Sequence, residues 1–570
     1  MQKKHYYLLF LPILVVYVVN LFVDVMVVDA AQYAEMSWEM LTTKSFLKVH
    51  CLGADYLDKP PLLFWLNSLS FYLFGVSNAS YKLPSLFFAV LAIYSTYRFA
   101  KIFYSEHIAV MAALMLATTE ALFLITNDVR TDTILMGSVI FAIWQWAQFF
   151  ETNETKNLLL GSLGIGLALL AKGPIGVIAV SAALLPHVIL SRKWKWLIDM
   201  RMALVIIVIG LMLTPMCIGL YEQWGWKGVK FFFWTQSFGR ITGESEWSNN
   251  PDTFFLLHSA AWAFLPWTLF LLVGWVDTAM GLINRKYNVR EIISISGFTL
   301  VTVALMLSRY QLPHYIFVVF PLGTVIGANY FEKAEKKPIV KKVLSVLQII
   351  LLFALITFSC ILQYCLKGTD IFSLFSLVVL YLIVIVTVIY TIGPVGSLGN
   401  LIAYLGHKLK GSKYLSAEMH VLFDIAYRNL FVLSAGIMIV FGFLMGAFYF
   451  PAILKYQPDC DFGRYAKEHA AKGNFVAFCY PTGAVDNFYA QQAPKQIWSL
   501  EEFNNILKQN RHVLVITTPI GKEQLAKVNV KYKVIEQRYR FQVTKLTYDF
   551  LNPATRNGVC DTVYLIETGK

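Results

Sequence analysis

The chain has 570 residues, of which 57% are hydrophobic and only 15% are charged, and its mean hydropathy is +0.58. Soluble globular proteins carry about 25% charged residues, so this composition excludes an ordinary soluble protein and indicates one that crosses a membrane repeatedly. A net charge of +13 would suggest a nucleic-acid partner for a soluble chain, but in a membrane protein basic residues gather in cytoplasmic loops, and no nucleic-acid partner is expected.

A membrane-spanning helix needs about 20 mostly apolar residues. Thirteen segments approach this length, and we predict spanning helices near residues 6–25, 81–100, 108–126, 133–150, 158–172, 174–190, 202–220, 254–275, 292–308, 313–330, 343–365, 371–391 and 429–450. Loops rich in lysine and arginine alternate with loops that lack them, which predicts a cytoplasmic amino terminus and an external carboxy-terminal tail. We therefore predict an α-helical polytopic membrane domain over residues 1–450 and an external domain over residues 451–570.

The first predicted external loop, residues 26–80, contains two candidate helices that lie along the membrane surface. In residues 29–41, polar and apolar side chains recur at helical spacing and form opposite faces of a helix. Residues 62–74 are mostly apolar, but this segment is too short to cross a membrane. Asp29 begins the first of these helices. An aspartate there is a preferred helix cap, and the same carboxylate can also act as a general base, so both interpretations stay open.

Lys59 lies directly before the second helix, next to Pro60 and Pro61, which fix the backbone at a helix start. A lysine at this depth can simply extend its ammonium to water, or it can bind a lipid phosphate. Because the charge rule predicts few cations on this side of the membrane, the position favours phosphate binding.

Further charged residues recur at the predicted external ends of the spans. Asp128 and Asp132 are four residues apart and are predicted to share one helix face. Charges at loop ends are usually just solvated, but several cations on one external face indicate a binding surface for phosphate-bearing ligands. These cations are Lys59, Arg130, Lys172, Arg240 and Arg309.

The tail is predicted to form a small α/β domain. Strands are expected at residues 474–480, 512–517 and 562–566, and the capping sequence Ser499-Leu-Glu-Glu502 predicts a helix that runs to about Lys508. We expect the tail to cover the acceptor or to help recognise it.

The seven cysteines show no spacing typical of a zinc or redox site. Four of them lie on the predicted external, oxidising side, where a disulfide can form, and the sequence leaves its pairing open. These four are Cys51, Cys460, Cys479 and Cys560.

These motifs together resemble the bacterial ArnT-like and protein O-mannosyltransferase-like glycosyltransferases of the GT-C class. The resemblance covers roughly the first 330 residues and rests on Asp29-x-x-x-Tyr33, Tyr56-Leu-Asp58-Lys59-Pro60-Pro61, Arg130-x-Asp132, Ala171-Lys172-Gly173-Pro174, Phe238-Gly239-Arg240-x-Thr-Gly-Glu244 and Leu312-Pro313-His314-Tyr315. It implies a GT-C fold with thirteen spanning helices, interfacial helices in the first loop and a periplasmic C-terminal domain. It also implies a multi-pass enzyme of the bacterial inner membrane, with its active site in the periplasm.

The resemblance also implies substrates and site residues. The donor would be a sugar on undecaprenyl phosphate, and the acceptor would be lipid A, as for ArnT, with membrane lipids around the enzyme. Asp29 and Asp132 would be the catalytic acids. The donor phosphate would be bound by Tyr33, Tyr56, Lys59 and Arg240. Further candidates for substrate binding are Gln32, Asp58, Arg130, Lys172, Glu244, Arg309 and His314.

The chain departs from the ArnT motif at two positions of the first loop. Ala30 stands where the family has a second acid, and Gln32 stands where ArnT has an arginine. The motif therefore specifies the enzyme class more firmly than the sugar.

The candidate residues predict direct displacement at the sugar with inversion of configuration. Lys59 and Arg240 would stabilise the charge that develops on the departing phosphate, and Asp29 would accept a proton from an acceptor hydroxyl. A divalent metal ion is a further hypothesis, with oxygen and nitrogen ligands from Asp29, Glu35, His50, Asp58, Asp132 and His314.

Two alternative functions remain. Protein O-glycosylation is the alternative within the enzyme class. A transporter is the alternative outside it, but transporters place charges near the membrane midplane, commonly within repeated halves. The charges of this chain lie at loop ends, and the sequence shows no repeated half.

Overall fold

The computed structural model describes residues 4–192, 194–196, 198–236, 239–242, 249, 251–284, 291–367, 377–378, 380–382, 415–509, 512–527 and 530–568. Helices make up most of this part of the chain before residue 470, and a five-stranded sheet with flanking helices follows. The protein is therefore a helical membrane protein with a small C-terminal α/β region, as predicted.

Six described helices are long and apolar enough to cross a membrane, and one bent pair would make a seventh span. The six are Asn78–Phe103, Thr131–Thr152, Met202–Trp224, Pro313–Glu335, Pro338–Leu366 and Tyr427–Leu454. Shorter apolar helices are Tyr6–Asn20, Leu62–Phe74, Ile175–Leu190, Thr268–Ile283 and Ile293–Met306. The number of thirteen spans stays a prediction, and its twelfth member, residues 371–391, lies largely outside the described residues.

Two predicted spans are wrong as continuous helices. The segment predicted as 108–126 is the bent pair, helices Glu106–Ala117 and Glu120–Asn127, which meet at 50°. At the break, the hydroxyls of Thr118 and Thr119 donate to carbonyls of the preceding turn, which is a common cause of helix bending.

The second wrong span is the segment predicted as 254–275. It forms helices Phe255–Ala263 and Thr268–Ile283, with Pro266 between them. A proline has no backbone N–H and its ring clashes with the preceding turn, so it ends the first helix.

The two helices predicted in the first loop are confirmed, and their place along the membrane surface stays a prediction. They run over Asp29–Thr43 and Leu62–Phe74 and pack against each other, with the Ser68 hydroxyl donating to the Ser37 carbonyl at 2.7 Å. Between them, strands β1 (His50–Cys51) and β2 (Ala54–Asp55) form a short antiparallel hairpin.

The pattern of polar and apolar residues in helix Asp29–Thr43 predicts polar side chains on an exposed face, and two of them are buried. Tyr33 and Glu35 are buried instead of exposed. Phe64 of the neighbouring helix packs against Tyr33, and Glu35 Oε2 accepts the Leu52 amide at 3.4 Å beneath the tail helix Ala484–Ala490.

The tail sheet has the strand order β4-β3-β5-β7-β6. β3 is parallel to β4 and β5, whereas β7 is antiparallel to β5 and β6. The three predicted strands are confirmed, but β4 and β6 were not predicted, because β4 is short and β6 is rich in charged residues, as edge strands often are. The strands are β3 (Phe475–Phe478), β4 (Lys495–Ile497), β5 (Val513–Thr517), β6 (Tyr532–Arg540) and β7 (Asp561–Thr568).

The tail helix predicted from its capping sequence is also confirmed, and the Glu502 amide donates to Ser499 Oγ at 3.2 Å. The tail helices are Asp459–His469, Ala484–Ala490, Leu500–Gln509, Pro519–Lys527 and Tyr548–Leu551. The first two pack against each other, and Ala484–Ala490 also packs on helix Asp29–Thr43.

The remaining helical segments connect these elements or belong to the spans above. They are Lys4–Leu8, Phe10–Asn20, Thr155–Lys172, Trp194–Trp196, Trp226–Lys230, Phe231–Thr235, Gly239–Thr242, Pro313–Val319, Phe320–Glu335, Pro338–Lys367, Leu415–Leu444, Met445–Tyr449, Phe450–Leu454 and Arg556–Val559. The sequence left open a disulfide among the four cysteines of the predicted external side, and each of the seven cysteines is a free thiol in the structure.

Candidate active site

Asp29 is the first residue of helix Asp29–Thr43, and its carboxylate forms an ion pair with the guanidinium of Arg130. The cap position is taken by Val28, and no side chain caps the helix, so the interpretation of Asp29 as a helix cap is wrong. Arg130 also donates from Nε and Nη2 to Asp128 Oδ2, at 2.9 and 2.8 Å. The guanidinium therefore lies between two carboxylates from different parts of the chain.

Asp128 and Asp132 do not share a helix face, contrary to the prediction. Asp128 follows the end of helix Glu120–Asn127, whereas Asp132 lies in the first turn of helix Thr131–Thr152. The extended backbone of Arg130 separates the two helices, with φ −131° and ψ 155°. The helical spacing on which the prediction depended therefore does not exist here.

Asp132 joins two other predicted motifs in a buried cluster. Lys172 Nζ lies 2.5 Å from Asp132 Oδ1, and His314 Nε2 lies 3.7 Å from Asp132 Oδ2. Lys172 also lies over the ring of Tyr315, 3.6 Å from its centroid, where the ring face attracts a cation. Gly173, with φ +80°, ends the helix directly after Lys172. The ends of three helices that are distant in sequence thus meet at the Asp132 carboxylate.

Lys59 forms a second ion pair beside this cluster. Its Nζ lies 2.5 Å from Asp58 Oδ2, and Gln236 donates from Nε2 to Asp58 Oδ1 at 3.2 Å. The ammonium also interacts electrostatically with Asp132, which places the two pairs in one site. The sequence did not single out Gln236, although it is a lone amide directly after the aromatic segment Phe231–Thr235.

Two tyrosine hydroxyls complete the part of the site around Asp29. Burial raises the pKa of Tyr33 well above its ordinary value of 10.0, and the nearby Tyr56 and Asp29 raise it further, against the effect of Arg130. Burial likewise raises the pKa of Tyr56, with Asp58 as the next cause. Both phenols therefore keep their protons at neutral pH and can donate hydrogen bonds to an anion.

The remaining candidate residues have other contacts or lie outside the described residues. Gln32 donates from Nε2 to Cys51 Sγ on β1 at 3.3 Å. Arg309 lies exposed on its turn, where its carbonyl accepts the Asn249 amide at 3.2 Å. The side chain of Arg240 and the whole of Glu244 are outside the described residues.

The predicted cationic surface is largely neutralised. Lys59, Arg130 and Lys172 each pair with a carboxylate, because the acids of the same motifs fold onto the same site. A phosphate that binds here must therefore share these cations with aspartates, which makes binding sensitive to each charge.

The residues offered as metal ligands do not form a metal site in the described part of the chain. No group of three or more His, Cys, Asp or Glu side chains there is arranged to hold a metal ion. Asp29 and Asp132 pair with Arg130 and Lys172, and His50 lies 3.2 Å from Asp55.

Comparison with known proteins agrees with the resemblance. A sequence profile described as dolichyl-phosphate-mannose-protein mannosyltransferase matches residues 58–218. The undecaprenyl phosphate-alpha-4-amino-4-deoxy-L-arabinose arabinosyl transferase of Edwardsiella ictaluri is 26% identical over 318 residues, which cover 54% of this chain and 55% of the relative. The enzyme of the same name from Aeromonas hydrophila is 26% identical over 320 residues, 53% of this chain and 55% of the relative. The match spans about half the length of these relatives.

Two solved structures share the fold over nearly the whole chain. The crystal structure of ArnT from Cupriavidus metallidurans bound to undecaprenyl phosphate has a TM-score of 0.67 at 15% identity, over 100% of this chain and 98% of that one. The apo structure of the same protein has a TM-score of 0.65 at 15% identity, over 99% and 97%. The predicted GT-C fold and the resemblance to ArnT-like proteins are thereby confirmed.

Proposed function

We propose that this protein is a membrane glycosyltransferase. Two observations support the proposal: the chain shares its fold with ArnT, and about half of it is related in sequence to arabinosyl transferases. It takes a sugar from an undecaprenyl-phosphate carrier and attaches it, with inversion, to lipid A on the periplasmic side of the bacterial inner membrane. The name shared by the relatives makes 4-amino-4-deoxy-L-arabinose the proposed sugar.

The observation that carries the proposal is the arrangement around Asp29. A partly open carboxylate pairs with Arg130 at the start of helix Asp29–Thr43, and the buried Tyr33, the half-buried Tyr56 and Lys59 lie in the same site. A carboxylate beside cations and phenols combines a proton acceptor with groups that bind phosphate.

The donor phosphate would be bound by Lys59 together with the hydroxyls of Tyr33 and Tyr56, and by Arg240. As the bond between sugar and phosphate breaks, negative charge grows on the phosphate oxygens. A fixed ammonium and fixed hydroxyl donors stabilise that charge more strongly in a site that is sheltered from water. Asp58 Oδ2 lies 2.5 Å from Lys59 Nζ and holds the ammonium in place.

Of the two catalytic candidates, Asp29 is the better general base. Its side chain is 38% exposed, whereas that of Asp132 is 3% exposed and contacts both Lys172 and His314. A base must reach the proton that it removes, and a buried carboxylate with two partners cannot meet an acceptor without rearrangement. We assign Asp132 the role of holding Lys172 and His314 within the site.

The orientation follows from the alternation of charged loops. The amino terminus would be cytoplasmic, while the site and a C-terminal domain over residues 451–570 would be periplasmic, with residues 1–450 forming the catalytic membrane domain. The contact of the tail with helix Asp29–Thr43 supports placing both on one side of the membrane.

Mass spectrometry of lipid A and of secreted proteins tests the proposal in a deletion strain complemented with the wild type or with Asp29→Asn. We expect a sugar on lipid A that is present only with the wild type. A sugar on secreted protein alone would support protein O-glycosylation instead, and retention of the anomeric configuration would exclude direct displacement. Equal amounts of product with the wild type and with Asp29→Asn would remove Asp29 from the catalytic residues. Products that are the same in the deletion strain with and without the wild-type gene would refute the glycosyltransferase.

A further inference from the structure

The segment that leads into Asp29 is held by side chains of the tail. Residues 24–27 are neither helix nor strand, and Val25 is 1% exposed, so its backbone groups need partners within the protein. Gln457 donates from Nε2 to the Val25 carbonyl at 2.8 Å, and its Oε1 accepts the Val27 amide at 2.9 Å. One amide side chain thus satisfies two backbone groups more than 400 residues away in the sequence.

A second side chain of the tail, Tyr489 of helix Ala484–Ala490, also bonds the segment of residues 24–27. The Tyr489 hydroxyl accepts the Val25 amide at 2.7 Å and donates to Asn78 Oδ1 at 2.8 Å. Asn78 is the first residue of the spanning helix Asn78–Phe103, so Tyr489 joins the segment to a fixed element of the membrane domain. The Asp24 carboxylate forms an ion pair with Arg464 of the tail.

We propose that Gln457 and Tyr489 are positioning residues for Asp29. Val27 lies two residues before Asp29, so the backbone that these side chains hold sets where the Asp29 carboxylate stands against Arg130. The inference depends on the proposed role of Asp29 as general base. A displacement of about 1 Å at a reacting group can lower a rate by about 10²-fold, so the tail would control turnover without touching either substrate.

A purely structural role for the tail is the simpler alternative, and matched variants separate the two. Gln457→Met keeps the length of the side chain and removes both hydrogen bonds to the segment. Tyr489→Phe removes only the hydroxyl. Tyr480→Phe is the control, because Tyr480 is just as buried and its hydroxyl bonds to Asp459 within the tail itself.

Two measurements on the full-length protein in lipid nanodiscs test the proposal. The first is amide hydrogen exchange of the peptide that covers residues 24–28. We expect exchange to rise about tenfold in Gln457→Met and in Tyr489→Phe, because a buried hydrogen bond is lost, and to stay at the wild-type rate in Tyr480→Phe.

The second measurement is transfer from undecaprenyl-phosphate-linked aminoarabinose to lipid A. We expect kcat to fall about 10–100-fold in the two positioning variants, with the KM for the donor within about threefold of wild type, because the phosphate-binding groups are not changed. The control is expected to keep the kcat of the wild type.

The outcomes distinguish the two proposals. Unchanged exchange in Gln457→Met overturns the positioning role, and so does faster exchange with unchanged kcat. A loss of kcat in Tyr480→Phe equal to that in the other two variants also overturns it, since it reveals a general effect of the tail. A wild-type protein that transfers no sugar refutes the proposed function, and the exchange rates then decide by themselves whether the tail holds the segment.

Discussion

Asp29 and Arg130 are 101 residues apart in the sequence and form an ion pair in the structure. The pair joins the start of helix Asp29–Thr43 to the turn that precedes the spanning helix Thr131–Thr152. Because Arg130 also bonds Asp128, the guanidinium keeps one partner when Asp29 turns toward a substrate. The arrangement therefore allows Asp29 to act chemically without leaving an unpaired buried arginine.

The first prediction concerns the charge of Asp29. Asp29→Asn keeps the size of the side chain but removes the proton acceptor, so the transfer rate should fall about 10²–10⁴-fold. The thermal midpoint should change by only a few degrees, because Arg130 retains Asp128. Transfer in nanodiscs and a thermal scan of the same samples measure both. Asp128→Asn is the matched control and should lose less than about tenfold, so equal losses would argue against Asp29 as the base.

The second prediction concerns the Lys59 ammonium. Lys59→Met should weaken the binding of undecaprenyl phosphate by about tenfold or more, because a charge-assisted hydrogen bond to the phosphate is lost. Binding can be measured by native mass spectrometry in detergent. Lys44→Met changes an exposed lysine of the same loop and should bind like the wild type. Equal affinity in Lys59→Met and the wild type would remove Lys59 from the phosphate site.

Local sequence patterns were enough to predict where some individual helices begin and end. Helix Leu62–Phe74 was predicted from its first to its last residue, because Pro61 opens it and Gly75, with φ +76°, ends it. Both signals act through the backbone of one or two residues, so the sequence contains them.

Contacts between elements were predicted less well. The pairing of Arg130 with Asp29 depends on how distant helices pack, and the assumed helix through Asp128 and Asp132 failed because the backbone of Arg130 is extended. The burial of Glu35 depends on the tail, which is more than 400 residues away in the sequence. Composition and motifs therefore identified the class of protein and most members of the site, but not which charges neutralise each other.

The third prediction concerns Glu35, which lies under the tail on helix Asp29–Thr43. Burial raises its pKa from 4.5 to about 8, and the nearby Glu39 raises it further. The folded protein therefore binds a proton at Glu35 that the unfolded chain releases above pH 4.5, so this group makes stability fall as the pH rises toward about 8. Above that pH the effect levels off.

Glu35→Gln should remove this part of the pH dependence. We expect the variant and the wild type to unfold at similar temperatures at about pH 5, and the variant to be the more stable at about pH 8.5. Thermal scans in nanodiscs at both pH values measure the difference, with the exposed Glu501→Gln as control. If the difference in thermal midpoint between the wild type and Glu35→Gln is the same at both pH values, Glu35 is ionised in the folded protein.

The fourth prediction concerns Lys82, a fully buried lysine of helix Asn78–Phe103. Its Nζ donates to the carbonyls of Asn20 and Val23, at 3.0 and 2.8 Å, and to Asn127 Oδ1 at 2.6 Å. The first two acceptors lie where helix Phe10–Asn20 ends and the segment toward Asp29 begins, and the third ends the helix that precedes Asp128 and Arg130. One ammonium thus joins the two chain segments that meet in the Asp29–Arg130 pair.

Lys82→Met should therefore lower both stability and transfer. The Val23 carbonyl and Asn127 Oδ1 lose the Lys82 donor, while the Asn20 carbonyl keeps the Val23 amide at 3.4 Å. Each unsatisfied group costs about 1–3 kcal/mol, so we expect a clear fall in the apparent thermal midpoint. Lys101→Met is the matched control on the same helix, because the Lys101 ammonium is exposed and bonds only a tyrosine hydroxyl among the described contacts. The control should behave like the wild type. A thermal midpoint and a transfer rate that are both unchanged in Lys82→Met would mean that packing alone brings Asp29 and Arg130 together, and that the buried ammonium is dispensable.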